Sequence, residues 1–131
     1  ALLLRDRIAR IRGALPALPE QVAADDRLEA YLAFHLLLLI QDAVDLATHL
    51  VVARGLSVPG SQREVFEALG RGGLLSDEVC RGMASLASLR NRIAHAYGDL
   101  DPVRMVAETP AGLAHVERML GELASTLAAA G

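Results

Sequence analysis

The sequence predicts an all-α fold, an up-and-down bundle of four main helices plus short ones, in one domain over residues 1–131. Three observations carry this. Apolar residues recur every three or four positions through most of the chain, and no segment alternates with period two over a useful length. Hydrophobic residues make up 53% of the chain but aromatics only 3%, with no Trp, so the core is built from Leu, Ala, Val and Ile. The 5 Pro and 11 Gly fall mostly between the apolar stretches, where they punctuate helices.

Leu4, Ile8, Ile11 and Leu15 mark an amphipathic first helix with Arg and Asp between them, ended by Pro16 and Pro19. Asp25 is placed to cap a second helix running to about Arg54, with Gly55 as its stop. Such a helix is on the order of 43 Å long. Its middle, YLAFHLLLLI from Tyr31 to Ile40, is apolar nearly all round, so it needs cover on every side, from other helices or from a second subunit. Ser61 and Glu64 have the spacing of a capping box ahead of a short helix with Val65, Phe66 and Leu69, which GRGG breaks. Ser76 caps the next helix, with Asp77 and Glu78 at the positive end of its dipole. That helix continues through Val79, Met83, Leu86, Leu89 and Ile93 to about Tyr97. Asp101-Pro102 and Thr109-Pro110 read as two further cap pairs, the first opening a short turn and the second a last helix with Leu113, Val116, Met119, Leu120 and Leu123.

The formal charge of -3 and pI near 5.8 argue against a broad basic surface for duplex DNA. All 13 positive charges are Arg, a side chain suited to phosphate and carboxylate contacts. One cysteine, Cys80, makes an internal disulfide impossible and fits a reducing cytosol. The longest apolar stretch, Tyr31 to Ile40, is about half of what a bilayer requires, and the RDRIARIR start is unlike a signal peptide. The expectation is a cytoplasmic protein with no membrane partner.

Two constellations carry polar chemistry. Asp42, Asp45 and His49 share one face of the long helix. They could ligate a metal given matching ligands from a facing helix, or form a polar stripe that accepts hydrogen bonds from Arg side chains of neighbouring helices. No second ligand set is evident: His35 lies in the apolar run and His115 stands apart on the last helix. The other constellation is SLRNRIAHAYGD, residues 88–99, with Arg90, Asn91, Arg92, His95 and Tyr97 at a helix end. Asn91 and His95 are one turn apart, close enough for the amide to reach the imidazole. Arg90 and His95 are about 140° apart around a regular helix, so they converge only if the helix end loosens or two copies face each other across a two-fold axis. On spacing alone this is equally a surface helix end whose Arg and His complement the dipole.

The order of these residues resembles the R-x-x-x-x-H motif of the HEPN ribonuclease superfamily, and with Tyr97 the R-x-x-x-x-H-x-Y form of HepT-like toxins. The stretch IQDAVDLATHLVVARGLSVPGSQREVFEAL is similar to that family's long helix with its D-x-A-x-H ending and the P-x-S-x-x-E loop beyond it. The resemblance covers about residues 28 to 106. Gln62 departs from it, standing where the family often has an aromatic residue.

The resemblance implies a HEPN-type bundle and metal-independent RNA cleavage by 2′-hydroxyl attack, with no cofactor, while the all-round apolar run Tyr31–Ile40 and the poor convergence of a single Arg90/His95 pair predict a homodimer. It assigns the catalytic roles to Arg90, Asn91 and His95. An imidazole, with its ordinary pKa near ~6.5, is suited to general acid–base work at neutral pH. A guanidinium can hold phosphoryl oxygens through two N–H bonds, and Asn91 would orient the imidazole or contact the phosphate. The resemblance further implies a cognate minimal nucleotidyltransferase, an MntA-type antitoxin, that transfers AMP to Tyr97. The rival reading is a non-catalytic helical accessory or binding subunit of such a nucleotidyltransferase, a view that the acidic pI favours.

Overall fold

The computed structural model describes residues 2–57, 59–95 and 97–130, the side chains of Leu2, Tyr97 and Ala130 excepted. Among the described residues five α-helices follow one another: α1 (Leu2–Ala14), α2 (Asp26–Ala53), α3 (Gln62–Arg71), α4 (Asp77–His95) and α5 (Pro102–Ala130). Short 3₁₀ turns occupy Pro19–Ala24 and Tyr97–Asp99. No strand occurs among the described residues.

The caps explain most boundaries. The Asp25 carboxylate accepts from the Leu28 N–H at 3.0 Å, and Gly55, with φ +68°, turns the chain out of α2. Ser76 Oγ accepts from the Val79 N–H at 3.3 Å. Asp101 accepts from the N–H groups of Val103 and Arg104. At α3 half of the expected capping box forms: Ser61 Oγ accepts from the Glu64 N–H, while among the described residues Glu64 makes no return bond and stays exposed.

Two boundaries differ from expectation. Helix α4 ends at His95, so Tyr97 lies in the 3₁₀ turn beyond it. Thr109-Pro110 opens no helix, because α5 runs through it unbroken from Pro102. Pro110 removes a single N–H from the helical ladder. Thr109 is buried, and its hydroxyl donates to the Met105 carbonyl at 2.7 Å inside the helix instead of capping a new one.

Helix α2 is the spine, packing against α1, α3, α4 and α5. Leu32, Ala33, Leu36, Leu39, Ile40, Ala43, Val44, Ala47 and Val51 form its buried side. By length and composition it would reach across a membrane, although its apolar run alone is too short; here it is the central helix of a bundle. The run also has a solvent face in the isolated chain: Tyr31 is 36% exposed and Phe34 56%. With half-buried Leu38, these residues form one stripe on α2.

Candidate functional site

Helix α4 distributes its polar residues to two sides. Arg90 turns toward α2, where its Nη2 donates to Gln41 Oε1 at 3.2 Å across 49 positions of sequence. Arg92 turns toward α5 and pairs with Glu108 at 3.2 Å. Glu108 also binds Arg104 of its own helix at 2.8 Å, so one carboxylate of α5 bridges an arginine of α4 and an arginine of α5. Arg92, Arg104 and Glu108 line a cavity of about 380 Å³ between α4 and α5, together with Ser85, Ser88 and His115. Arg90 and His95 are not among its lining residues.

Arg90 is half-buried, and its Nε is shielded from solvent without a partner among the described residues. Asn91 and His95 are exposed. Among the described residues no hydrogen bond joins Arg90, Asn91 and His95. The expected Asn91–His95 contact is therefore not made, since both side chains face outward at an open helix end. Tyr97 sits two residues beyond His95, in the turn, and its side chain lies outside the described residues.

The stripe on α2 behaves as a set of acceptors. Asp42 pairs with Arg7 of α1 at 3.5 Å. Asp45 accepts from Gln41 Nε2 at 3.0 Å, and His49 is exposed. No group of three or more His, Cys, Asp or Glu among the described residues could hold a metal ion. Gln41 is the residue that sequence reasoning missed. The signal was available in its place four residues before Asp45, on the same helix face.

The remaining histidines have structural surroundings. His35 Nδ1 meets Arg7 Nη1 at 3.1 Å, and its ring lies 4.3 Å from that of Tyr31. Partial burial, then the positive charges of Arg7 and Arg10, push its pKa below the ordinary histidine value. His115 packs its ring on Gly82 of α4. Burial likewise pushes the Cys80 thiol up, helped by Asp77, Glu122 and Glu67. Its Sγ is 3.2 Å from the Phe66 carbonyl, so Cys80 is a poorly ionised thiol with a structural contact.

Comparison with known proteins agrees with this architecture. A family model described as Ribonuclease HepT-like matches residues 4–119. The chain is 32% identical over 88 residues to the tRNA nuclease HepT of Aphanizomenon flos-aquae (strain 2012/KM1/D3), a match that covers 63% of this chain and 60% of that protein. Among solved structures it is similar to the crystal structure of a mutant MntA-HpeT toxin–antitoxin, with a TM-score of 0.84 at 21% identity over 93% of this chain and 92% of that one. A second similar structure is a toxin–antitoxin with AMP-PNP, at TM-score 0.77 and 20% identity over 92% and 96% of the two chains. A third is a tri-AMPylated Shewanella oneidensis HEPN toxin in complex with MNT antitoxin, at TM-score 0.71 and 21% identity over 93% and 96%. At these identities the solved structures establish the HEPN-type bundle, and the family match extends over most of the chain.

Proposed function

The chain belongs to the HepT-like ribonuclease family, and on that premise we propose that it is the endoribonuclease toxin of a toxin–antitoxin pair, cutting RNA in the cytosol without a metal ion. The observation that most supports this reading is the spacing of Arg90 and His95 within the family match, at a helix end where His95 is exposed and Arg90 is already held.

The chemistry follows from the residue types. His95 takes the proton of an RNA 2′-hydroxyl, and the freed oxygen attacks the adjacent phosphorus. The P–O5′ bond breaks, leaving a 2′,3′-cyclic phosphate on one product. The 5′-oxygen of the other product takes up a proton, which the newly formed imidazolium can supply. Arg90 holds the phosphoryl oxygens as negative charge builds on them. Asn91, exposed beside them, contacts the same phosphate. The nucleophile belongs to the substrate, so no metal-activated water is required, and DNA lacks the group that attacks. The relative named tRNA nuclease makes tRNA the first substrate to try.

The active unit in this reading is a homodimer. The exposed stripe of Tyr31 and Phe34 on α2 supplies an apolar face for a second copy. It leads directly to Gln41 and Arg90, so the interface would bring two Arg90/His95 sets together. The partner antitoxin is a minimal nucleotidyltransferase that transfers AMP to Tyr97, a reading supported by the AMPylated and antitoxin-bound structures that share this fold.

The deciding experiment incubates the purified protein with tRNA in EDTA, beside His95→Ala. Cleavage that survives EDTA and disappears in the variant supports the nuclease. No cleavage by either protein, with tight binding to a nucleotidyltransferase, supports the accessory subunit.

A further inference from the structure

We infer that Gln41 and Asp45 form a two-step relay on α2 that positions Arg90 for the RNA phosphate. The inference rests on the reading of Arg90 as the phosphate-holding residue.

The relay is directional. An ionised carboxylate only accepts hydrogen bonds and a guanidinium only donates them, whereas a glutamine amide has one end for each. Asp45 Oδ1 takes the amide NH₂ of Gln41 at 3.0 Å. The amide oxygen is thereby turned to Arg90, whose Nη2 it accepts at 3.2 Å. With Asp45 ionised, the reversed amide would set oxygen against oxygen at one end and N–H against N–H at the other. Asp45 therefore fixes which face Gln41 shows to Arg90.

The arrangement also keeps Arg90 charged toward its substrate. Arg92, Arg104, Arg12 and Arg118 each pair with a carboxylate. Arg90 instead meets a neutral amide, so its orientation is held without its charge being neutralised. A direct carboxylate contact at position 41 would compete with the phosphate for the same N–H groups. Asp45, placed one residue further out, acts on the amide and leaves the guanidinium fork available.

Gln41 and Asp45 are positioning residues, because they act through Arg90. The test measures steady-state cleavage of a fluorogenic RNA oligonucleotide by the full chain and by Gln41→Ala, Asp45→Asn and Arg90→Ala. Asp45→Asn conserves shape but replaces the acceptor-only carboxylate with an amide that can turn either end to Gln41, so it removes the fixed direction. The expected result is a kcat about tenfold or more lower in both relay variants, with KM within about twofold and melting temperature unchanged. Arg90→Ala should be at least as impaired. If Arg90→Ala is inactive while both relay variants keep the wild-type kcat, the relay is overturned and the role of Arg90 stands. If Arg90→Ala cuts normally, the role of Arg90 fails and the relay falls with it. A kcat loss that only tracks loss of folded protein also overturns the relay. A second measurement is independent of cleavage: phenylglyoxal labelling of Arg90, followed by mass spectrometry of its peptide. Release of one net hydrogen bond should speed labelling in both variants by roughly two- to tenfold, and equal rates in all three proteins overturn the relay.

Discussion

The ring of His115 lies on the backbone of Gly82, so close that a Cβ at position 82 would overlap Nδ1, Cγ and Cε1 of the imidazole. Gly82 is buried in the middle of α4, where alanine would otherwise be the better helix former by roughly 1 kcal/mol. The close approach of α4 and α5 outweighs that preference. Gly82→Ala should destabilise the protein by about 1–3 kcal/mol through overpacking. In the His115→Ala background the same change should become neutral or stabilising. Urea unfolding of the four proteins checks this, and a cost of Gly82→Ala that persists without the imidazole would refute the account.

His95 is exposed at the end of α4, so its removal leaves no cavity. His95→Ala should melt at the wild-type temperature while losing about 10²- to 10⁴-fold in RNA cleavage, the usual contribution of a positioned general base. Circular dichroism and a gel-based cleavage assay read the two effects separately. A variant that unfolds, or one that still cuts, would remove His95 from the mechanism.

Phe34, 56% exposed on α2, is the most informative residue for the proposed dimer. Light scattering at micromolar concentration should give a dimer for the wild type and a monomer for Phe34→Asp, because a charge buried in an apolar interface has no partner there. A wild-type monomer would count against the shared interface.

Tyr97 is the proposed AMP acceptor. Co-incubation with a nucleotidyltransferase partner, ATP and Mg²⁺ should add one or more AMP units to this residue by mass spectrometry, with loss of cleavage. Each added phosphate brings negative charge two residues from His95, where the RNA phosphate must sit. Tyr97→Phe should still cut and should escape inhibition. AMP found on Tyr31, or on neither tyrosine, would contradict the assignment.

The depressed pKa of His35 predicts a pH dependence. The folded chain holds this imidazole neutral against Arg7, whereas the unfolded chain protonates it near the ordinary value of about 6.5. Its contribution to stability is therefore fully present above that value. It is lost progressively as pH falls from there through the lower folded-state value. The melting temperature should decline over that window, and the decline should be shallower in His35→Gln. Identical pH profiles for the two proteins would rule out the contact as its source.

Several features of the molecule are local enough to be legible in sequence. The caps at Asp25, Ser76 and Asp101 each join a side chain to N–H groups two or three residues on, so neighbours in the chain determine them. The buried side of α2 is read from helical period alone, and the order Arg90, Asn91, His95, Tyr97 needs no coordinates. Thr109-Pro110 shows the limit: its local chemistry matches a helix start, yet burial of Thr109 against the rest of the bundle keeps α5 continuous. The Arg90–Gln41 and Arg12–Glu117 contacts span 49 and 105 positions. Gly82 likewise meets His115 only where α4 crosses α5. Helical period and neighbouring side chains suffice for most of the helices, for the caps at Asp25, Ser76 and Asp101, and for the chemical types at the end of α4. Which side of α4 faces α2 is settled by packing between helices, and with it that Arg90 is held by a neutral amide while Arg92 is neutralised by Glu108. The physical reason is that helical period sorts residues onto faces, but long-range packing of apolar surfaces decides which face meets which neighbour.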